Sequence, residues 1–169
     1  MLSHDEQIAF YRAHPPSCLD GLKVTSIESL DFVFDGHGSP INSIFELACP
    51  CGSRSFWLEC YVDPDGDDVN TPISIQCEAD DCDAGERVIY DRNKHGYDGR
   101  AGDLPVEHGP DAYQTDIGEP YGIIVRFEYS VDALGEHPGE DHEMFSWITI
   151  VIRHPETGQL GLMFHDECA

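Results

Sequence analysis

The stretch LACPCGSRSFWLEC, Leu47 to Cys60, puts two cysteines one residue apart beside a glycine and runs directly into an apolar segment. Cys49 and Cys51 flank Pro50 and precede Gly52; downstream, Cys77 and Cys82 enclose Glu78, Ala79, Asp80 and Asp81. The spacing is therefore C-x-C, 25 residues, then C-x4-C. Between the pairs, SFWLECYV (55–62) and TPISIQC (71–77) have the β-branched and aromatic content of strands, separated by the acidic turn formers DPDGDD. A hairpin of that length returns the second pair to the first. Four thiolates on two tight turns can surround one tetrahedral Zn²⁺ at Zn–S distances of about 2.3 Å. The expected metal set is Cys49, Cys51, Cys77 and Cys82, and the expected cofactor is a structural Zn²⁺.

The segments CPCGS and CEADDC resemble the zinc-ribbon or zinc-knuckle group, over about residues 47–92. The resemblance implies two cysteine-bearing turns, joined by a β-hairpin, that clamp a structural zinc. Free thiols and redox chemistry are the competing readings. A redox thiol needs a depressed pKa beside positive charge, whereas the neighbours here are Glu78, Asp80, Asp81 and Asp83. A closed four-sulfur site has no position for an activated water, which makes the metal a scaffold. Cys60 alternates with Phe56, Leu58 and Val62 on one strand face and is expected in the core, in reserve as a ligand. Cys18 is expected to be a bystander, and Cys168 an exposed terminal thiol.

A chain of 169 residues suffices for one ordinary domain with its own core. Ser3 is placed to cap a helix over residues 4–13 that ends at Pro15-Pro16. KVTSIESLDFVFD then alternates as a strand, and INSIFELAC resumes as its antiparallel neighbour. ERVIYD (86–91) is a third arm of the cysteine module. YGIIVRFEYS (121–130), MFSWITIVIRH (144–154) and LGLMFH (160–165) are the most strand-like segments and are expected to form the core sheet. Residues 92–120 lack periodicity and read as a long loop. The expected fold is mostly β, α+β: one N-terminal helix, an antiparallel sheet, and an inserted zinc-ribbon-like hairpin, all in a single domain spanning 1–169.

Nine basic residues against 33 acidic ones give a net charge of −24. Such a surface repels phosphate backbones and anionic membranes; it serves solubility in a salty interior or the docking of a basic protein. Between residues 49 and 95 four bases face eleven acids, so nucleic acid is an unsuitable partner for the cysteine module. The N-terminus MLSHDEQIAFYRAHPP has no basic leader followed by an apolar run, and no stretch reaches the 18 or so apolar residues of a membrane span. A cytoplasmic location follows as the expectation, where thiols stay reduced and seven cysteines favour metal ligation over disulfides.

Three further segments carry chemistry-bearing residues. DPDGDD opens like a calcium loop but has Asp68 where that loop needs Gly and Ser74 where it needs Glu. HGYDG offers His95, Tyr97 and Asp98 around glycines, suited to packing, to a binding or catalytic loop, or to supplying His95 as a fourth metal ligand. HPGEDHE holds His137, Glu140, His142 and Glu143 without HExxH spacing and reads as a solvated loop. No Gly-x-Ser-x-Gly elbow, P-loop or dinucleotide fingerprint occurs. The expected function is a non-enzymatic, zinc-stabilised acidic binding or adaptor protein. The alternatives are a small metal-dependent enzyme using the HGYDG loop, and an acidic inhibitor or immunity-type protein that neutralises a basic partner. The oligomeric state is not encoded in any of these signals.

Overall fold

The computed structural model describes residues 1–32, 34, 38–62, 69–97, 113–116 and 118–168. The helix α1 spans His4–Ala13, and its capping box is complete: the Ser3 hydroxyl accepts from the Glu6 amide while the Glu6 carboxylate accepts from the Ser3 amide. One five-stranded sheet contains β1 (Lys23–Ile27), β2 (Asn42–Ala48), β7 (Gly122–Glu128), β8 (Trp147–Arg153) and β9 (Leu160–Glu167), in that spatial order. A four-stranded sheet orders β5 (Glu86–Tyr90), β4 (Val69–Cys77), β3 (Phe56–Val62) and β6 (Tyr113–Asp116). Every neighbouring pair is antiparallel. The fold is thus mostly β, α+β, as the sequence pattern predicts.

β2 and β7 are direct neighbours, so the whole four-stranded sheet is inserted between two strands that pair with each other. The expected hairpin is there as β3 and β4, flanked on its outer sides by β6 and β5. Phe56, Leu58 and Cys60 on β3 and Ile73 and Ile75 on β4 are buried in the same cluster as Phe45, Ile123, Val125, Phe127 and Ile148 of the other sheet. The cysteine-bearing hairpin therefore shares the main core. Burying each such large side chain contributes roughly 1.5–3 kcal/mol relative to leaving it in water.

Strand periodicity explains a second apolar layer. On β7, Ile123, Val125 and Phe127 face the main core, while Ile124 packs with Ile44 and Val151 on the reverse face. Leu30, Phe32 and Phe34 cover that reverse face. This corrects the strand expected from Lys23 through Asp35, which ends at Ile27. The alternating aromatics beyond Ile27 bury themselves against the sheet; the Arg126 guanidinium lies 4.4 Å from the centre of the Phe34 ring, and the Ser39 amide donates to the Glu128 carboxylate at 2.8 Å.

Residues 92–120, read as a loop, include β6, which pairs with β3 from Glu59 to Val62. Its four residues are too short for periodicity to reveal. The HPGEDHE segment is the solvated loop expected only from His137 to Glu140, which are exposed. Asp141 and Glu143 are buried: one Asp141 oxygen accepts from the Gly135 and His137 amides at 2.9 and 3.0 Å, and Glu143 accepts from the Ser17 amide at 2.7 Å. Carboxylates that satisfy backbone amides are tolerated inside, and spacing alone does not distinguish them from surface acids. Among the described residues, no helix is long and apolar enough to cross a membrane.

Candidate metal centre

The first cysteine pair sits where the chain leaves one sheet for the other. Cys49 follows β2 directly, and the chain turns through Pro50-Cys51-Gly52 before entering β3. The Gly52 amide donates to the Cys49 carbonyl at 2.8 Å and the Cys49 amide to the Ser53 carbonyl at 2.8 Å, closing the turn. Gly52 has φ +99°, a left-handed conformation that a side chain would strain. Cys77 ends β4, and Cys82 lies in a second turn whose amide donates to the Ala79 carbonyl at 3.1 Å. The Glu78 amide donates to the Ser55 carbonyl at 3.1 Å, holding the two turns side by side.

All four cysteines named from the sequence converge. Cys49 Sγ lies 3.5 Å from Cys82 Sγ, Cys51 Sγ lies 3.6 Å from Cys77 Sγ, and the four sulfurs lie within 4.8 Å of one another. A regular tetrahedron with a metal–sulfur bond of about 2.3 Å has edges of ~3.8 Å, so the cluster is close to the size of one coordination shell. The same distances are far beyond the S–S bond of about 2.05 Å, so the cysteines are not disulfide-bonded. The pairing also crosses between the turns, each turn supplying one sulfur to each short contact.

Burial grades the four thiols. Cys49 is buried against Phe56 and the core, Cys77 and Cys82 are partly exposed, and Cys51 is exposed. Burial pushes the Cys49 thiol up to about 12, against the Cys51 amide, which lowers it. The Ser53 amide, helped by the sulfurs of Cys49 and Cys77, brings Cys51 down to about 7. At Cys82 the Ala84 amide also favours the charged form, but burial and the sulfurs of Cys51 and Cys77 leave that thiol raised on balance. Each of these amides lies two residues beyond the sulfur it stabilises, a support that turns a cluster of thiols into a ligand set. Sequence reasoning named the sulfurs and missed these donors, because Ser53 and Ala84 act through their backbone and their side-chain identity carries no signal.

The centre also ties the sheets together. The Phe56 amide donates to the Tyr121 carbonyl and the Tyr121 amide to the Phe56 carbonyl, both at 2.9 Å, so the start of β3 bridges to the residue before β7. A cleft of about 240 Å³ opens beside the turns, between Leu22, Phe56, Ile75 and the sulfur-bearing residues Cys49 and Cys77. Arg87 closes one wall of it, donating to the Asp20 carbonyl. Gly21, at φ +83°, leaves room for that guanidinium; a Cβ there would come within 2.6 Å of it.

The remaining cysteines stand apart from the cluster. Cys60 is in the core, as expected, and is not among the four converging sulfurs. Cys18 is buried beside the main core. Cys168 corrects the expectation of an exposed terminal thiol: it is 4% exposed, its amide donates to the Ser146 carbonyl at 2.7 Å, and its sulfur lies 3.2 Å from the Tyr90 hydroxyl. β9 carries the chain end inward beside Gly96, where a Cβ would meet Cys168 at 2.6 Å.

In the HGYDG loop, His95 Nδ1 accepts from the Asp91 amide at 2.9 Å, which commits that nitrogen to the turn. The Tyr97 amide donates to the Phe145 carbonyl, and its ring is half exposed. Asp98, like the DPDGDD turn at 63–68, lies outside the described residues. His95 does not join the sulfur cluster.

Fold and site together define a mostly β protein with a four-cysteine cluster able to hold a metal ion at the junction of two sheets. Comparison of the chain with protein-family models, curated proteins and solved structures finds no match.

Proposed function

We propose that the protein is a zinc-stabilised binding or adaptor protein, whose metal fastens the inserted sheet to the rest of the core and whose acidic face docks a basic polypeptide. The carrying observation is the cluster of four sulfurs within 4.8 Å of one another, with its amide donors. Zn²⁺ suits an all-thiolate tetrahedral set, and four protein ligands leave no place for a reacting water, so the role of the ion is structural.

The docking reading is supported by the outer face of the inserted sheet. Trp57 and Val88 are exposed there, at 42% and 41%. Trp57 pairs with Gln76, Gln76 with Glu86, and Ser74 with both Glu59 and Val88, so Trp57 has Glu59 two residues along its own strand and Glu86 two strands away, beyond Gln76. An exposed tryptophan on a face that also carries acids suits an arginine or lysine side chain, by charge and by cation–π attraction. The occupant that fits is a basic segment of another polypeptide.

The deciding experiment measures metal in protein purified without added metal, beside a Cys77→Ser, Cys82→Ser variant. About one zinc per chain in the parent, absent from the variant, is the expected result. A metal-free parent that melts cooperatively would overturn the zinc reading. For docking, an oligolysine peptide should bind with an affinity that falls steeply with salt and drops in Trp57→Ala and in Glu59→Gln, Glu86→Gln; binding indifferent to both variants would remove this face from the proposal.

A further inference from the structure

A second cavity, of about 190 Å³, shares no residue with the metal centre. α1 supplies Tyr11, the 91–97 turn supplies Tyr97, and the segment from Ser130 to Ser146 supplies Ala133, Glu136, Asp141 and Met144. It is smaller than the roughly 300–1,000 Å³ of a drug-sized ligand site, which limits the occupant to about a side chain.

Its walls are held firmly. The Gln7 amide group donates to the Asp132 carboxylate at 3.2 Å, and the Asp132 amide donates to the Gln7 carbonyl oxygen at 3.0 Å. This clamp holds Asp132 at φ 64° and fixes the 130–141 segment to α1. Tyr11 stacks on Tyr129 at 3.6 Å between ring centres, and the Tyr129 hydroxyl donates to the His142 carbonyl at 2.8 Å.

Tyr11 and Asp141, both buried residues, line this cavity, and each has one polar atom with no protein partner among the described residues. Tyr11 is 1% exposed, yet its hydroxyl makes no hydrogen bond among the described residues. Asp141 is 6% exposed; its Oδ1 accepts both backbone amides, and its Oδ2 accepts none. A carboxylate oxygen and a phenol hydroxyl with no protein partner beside a cavity are open to accept a donor from an occupant. Glu136 adds a second negative charge at the rim, and it and Asp141 both raise the Tyr11 phenol after burial itself. Tyr97, Ala133 and Met144 supply apolar wall.

We propose that this cavity binds a primary alkylammonium group, with Asp141, Glu136 and Tyr11 accepting its three N–H bonds and its methylenes lying against Tyr97, Ala133 and Met144. An ammonium carries three donors and no acceptor, the complement of these three groups. A metal ion fits less well: among the described residues the cysteines are the group of three or more metal-ligating side chains that converges, and Glu136, His137 and Asp141 do not. The alkylammonium is a free amine or the lysine of a docked polypeptide. The lysine arm rests on the docking reading; the site itself does not.

The test is an NMR titration of the full, metal-loaded chain with n-butylammonium chloride at constant ionic strength, with n-butanol as the neutral control. The Gly135 and His137 amides, which hydrogen-bond Asp141, should shift saturably with the amine and stay still with the alcohol. Tyr11→Phe keeps the ring on Tyr129 and should weaken binding roughly two- to tenfold, and Asp141→Asn, which still accepts both amides, roughly 10- to 100-fold. Glu136→Gln, at an exposed position, tests the rim charge without risk to folding and should also weaken binding. No saturation, or equal binding by folded Tyr11→Phe and Glu136→Gln, overturns the proposal. Capped lysine binding as tightly as butylammonium assigns the site to a partner's lysine. Exclusion of capped lysine, with butylammonium still bound, assigns it to a free amine and withdraws its support from docking while leaving the zinc reading intact.

Discussion

The metal centre takes its four ligands from one hairpin, Cys49 to Cys82, whereas the alkylammonium cavity takes its polar groups from α1, the 91–97 turn and the 130–146 segment. The first is a local construction: two turns, closed by their own amides and joined by the Glu78–Ser55 hydrogen bond, bring matched chemistry together. The second exists only because α1 packs on the sheet and Gln7 pins the segment across it. Energetically they also differ. A metal ion held by the four cysteines between β2 and β3 would support both sheets, while the cavity is bordered by individual hydrogen bonds of modest worth.

The sharpest way to break that contrast is to remove the metal. Structural zinc sites have apparent binding free energies of about 10–16 kcal/mol, as large as the whole stability of a typical domain at about 5–15 kcal/mol. Chelation should therefore abolish the cooperative melt followed by circular dichroism, and the amine-induced shifts should vanish with it. A chelated protein that melts unchanged would show that the shared core needs no cation at the junction.

Next in size is Leu58→Ala, which empties a fully buried position of β3. A loss of about 2–5 kcal/mol in urea unfolding is expected, with zinc content preserved. At the helical end, Glu143→Ala leaves the Ser17 amide without its acceptor and should cost about 1–3 kcal/mol, again without metal loss. If Glu143→Ala released zinc, the two regions would be coupled more tightly than their separate hydrogen bonds suggest.

The smallest effect is a pH dependence. Burial, with Asp141 and Glu136, pushes the Tyr11 phenol from 10 up to about 12. Below pH 10 the phenol is protonated in both folded and unfolded chains, so no stability is at stake. As pH rises from 10 through about 12, the unfolded chain loses its proton first and stability falls. Tyr11→Phe should move the alkaline transition, followed by tyrosinate absorbance and circular dichroism together, slightly upward.

Much of the molecule could be read from the chain because its signals were local. The capped helix, the strands β7 to β9 and the converging cysteines each follow from periodicity or spacing within one or two turns of chain. Where the reading failed, a distant partner had decided the outcome. Leu30, Phe32 and Phe34 alternate like a strand but cover the reverse face of a sheet, and β6 is a strand because β3 offers it an edge. Cys168 looks terminal and exposed but is drawn into the core by β9. Asp141 and Glu143 look like surface acids, and their backbone donors at Gly135, His137 and Ser17 leave no mark on composition.

The sequence by itself determined the mostly β class, the helix with its cap, the strong negative charge and the identity of the four converging cysteines. It could do so because residue type, spacing and turn chemistry act over short stretches of chain. Only the tertiary structure decided that the cysteine hairpin belongs to a sheet of a shared core, that the four-cysteine cluster sits between two sheets, and that Tyr11 and Asp141 line one cavity. Those outcomes depend on contacts between segments far apart in the chain, where burial and hydrogen-bond satisfaction across the whole fold select the arrangement.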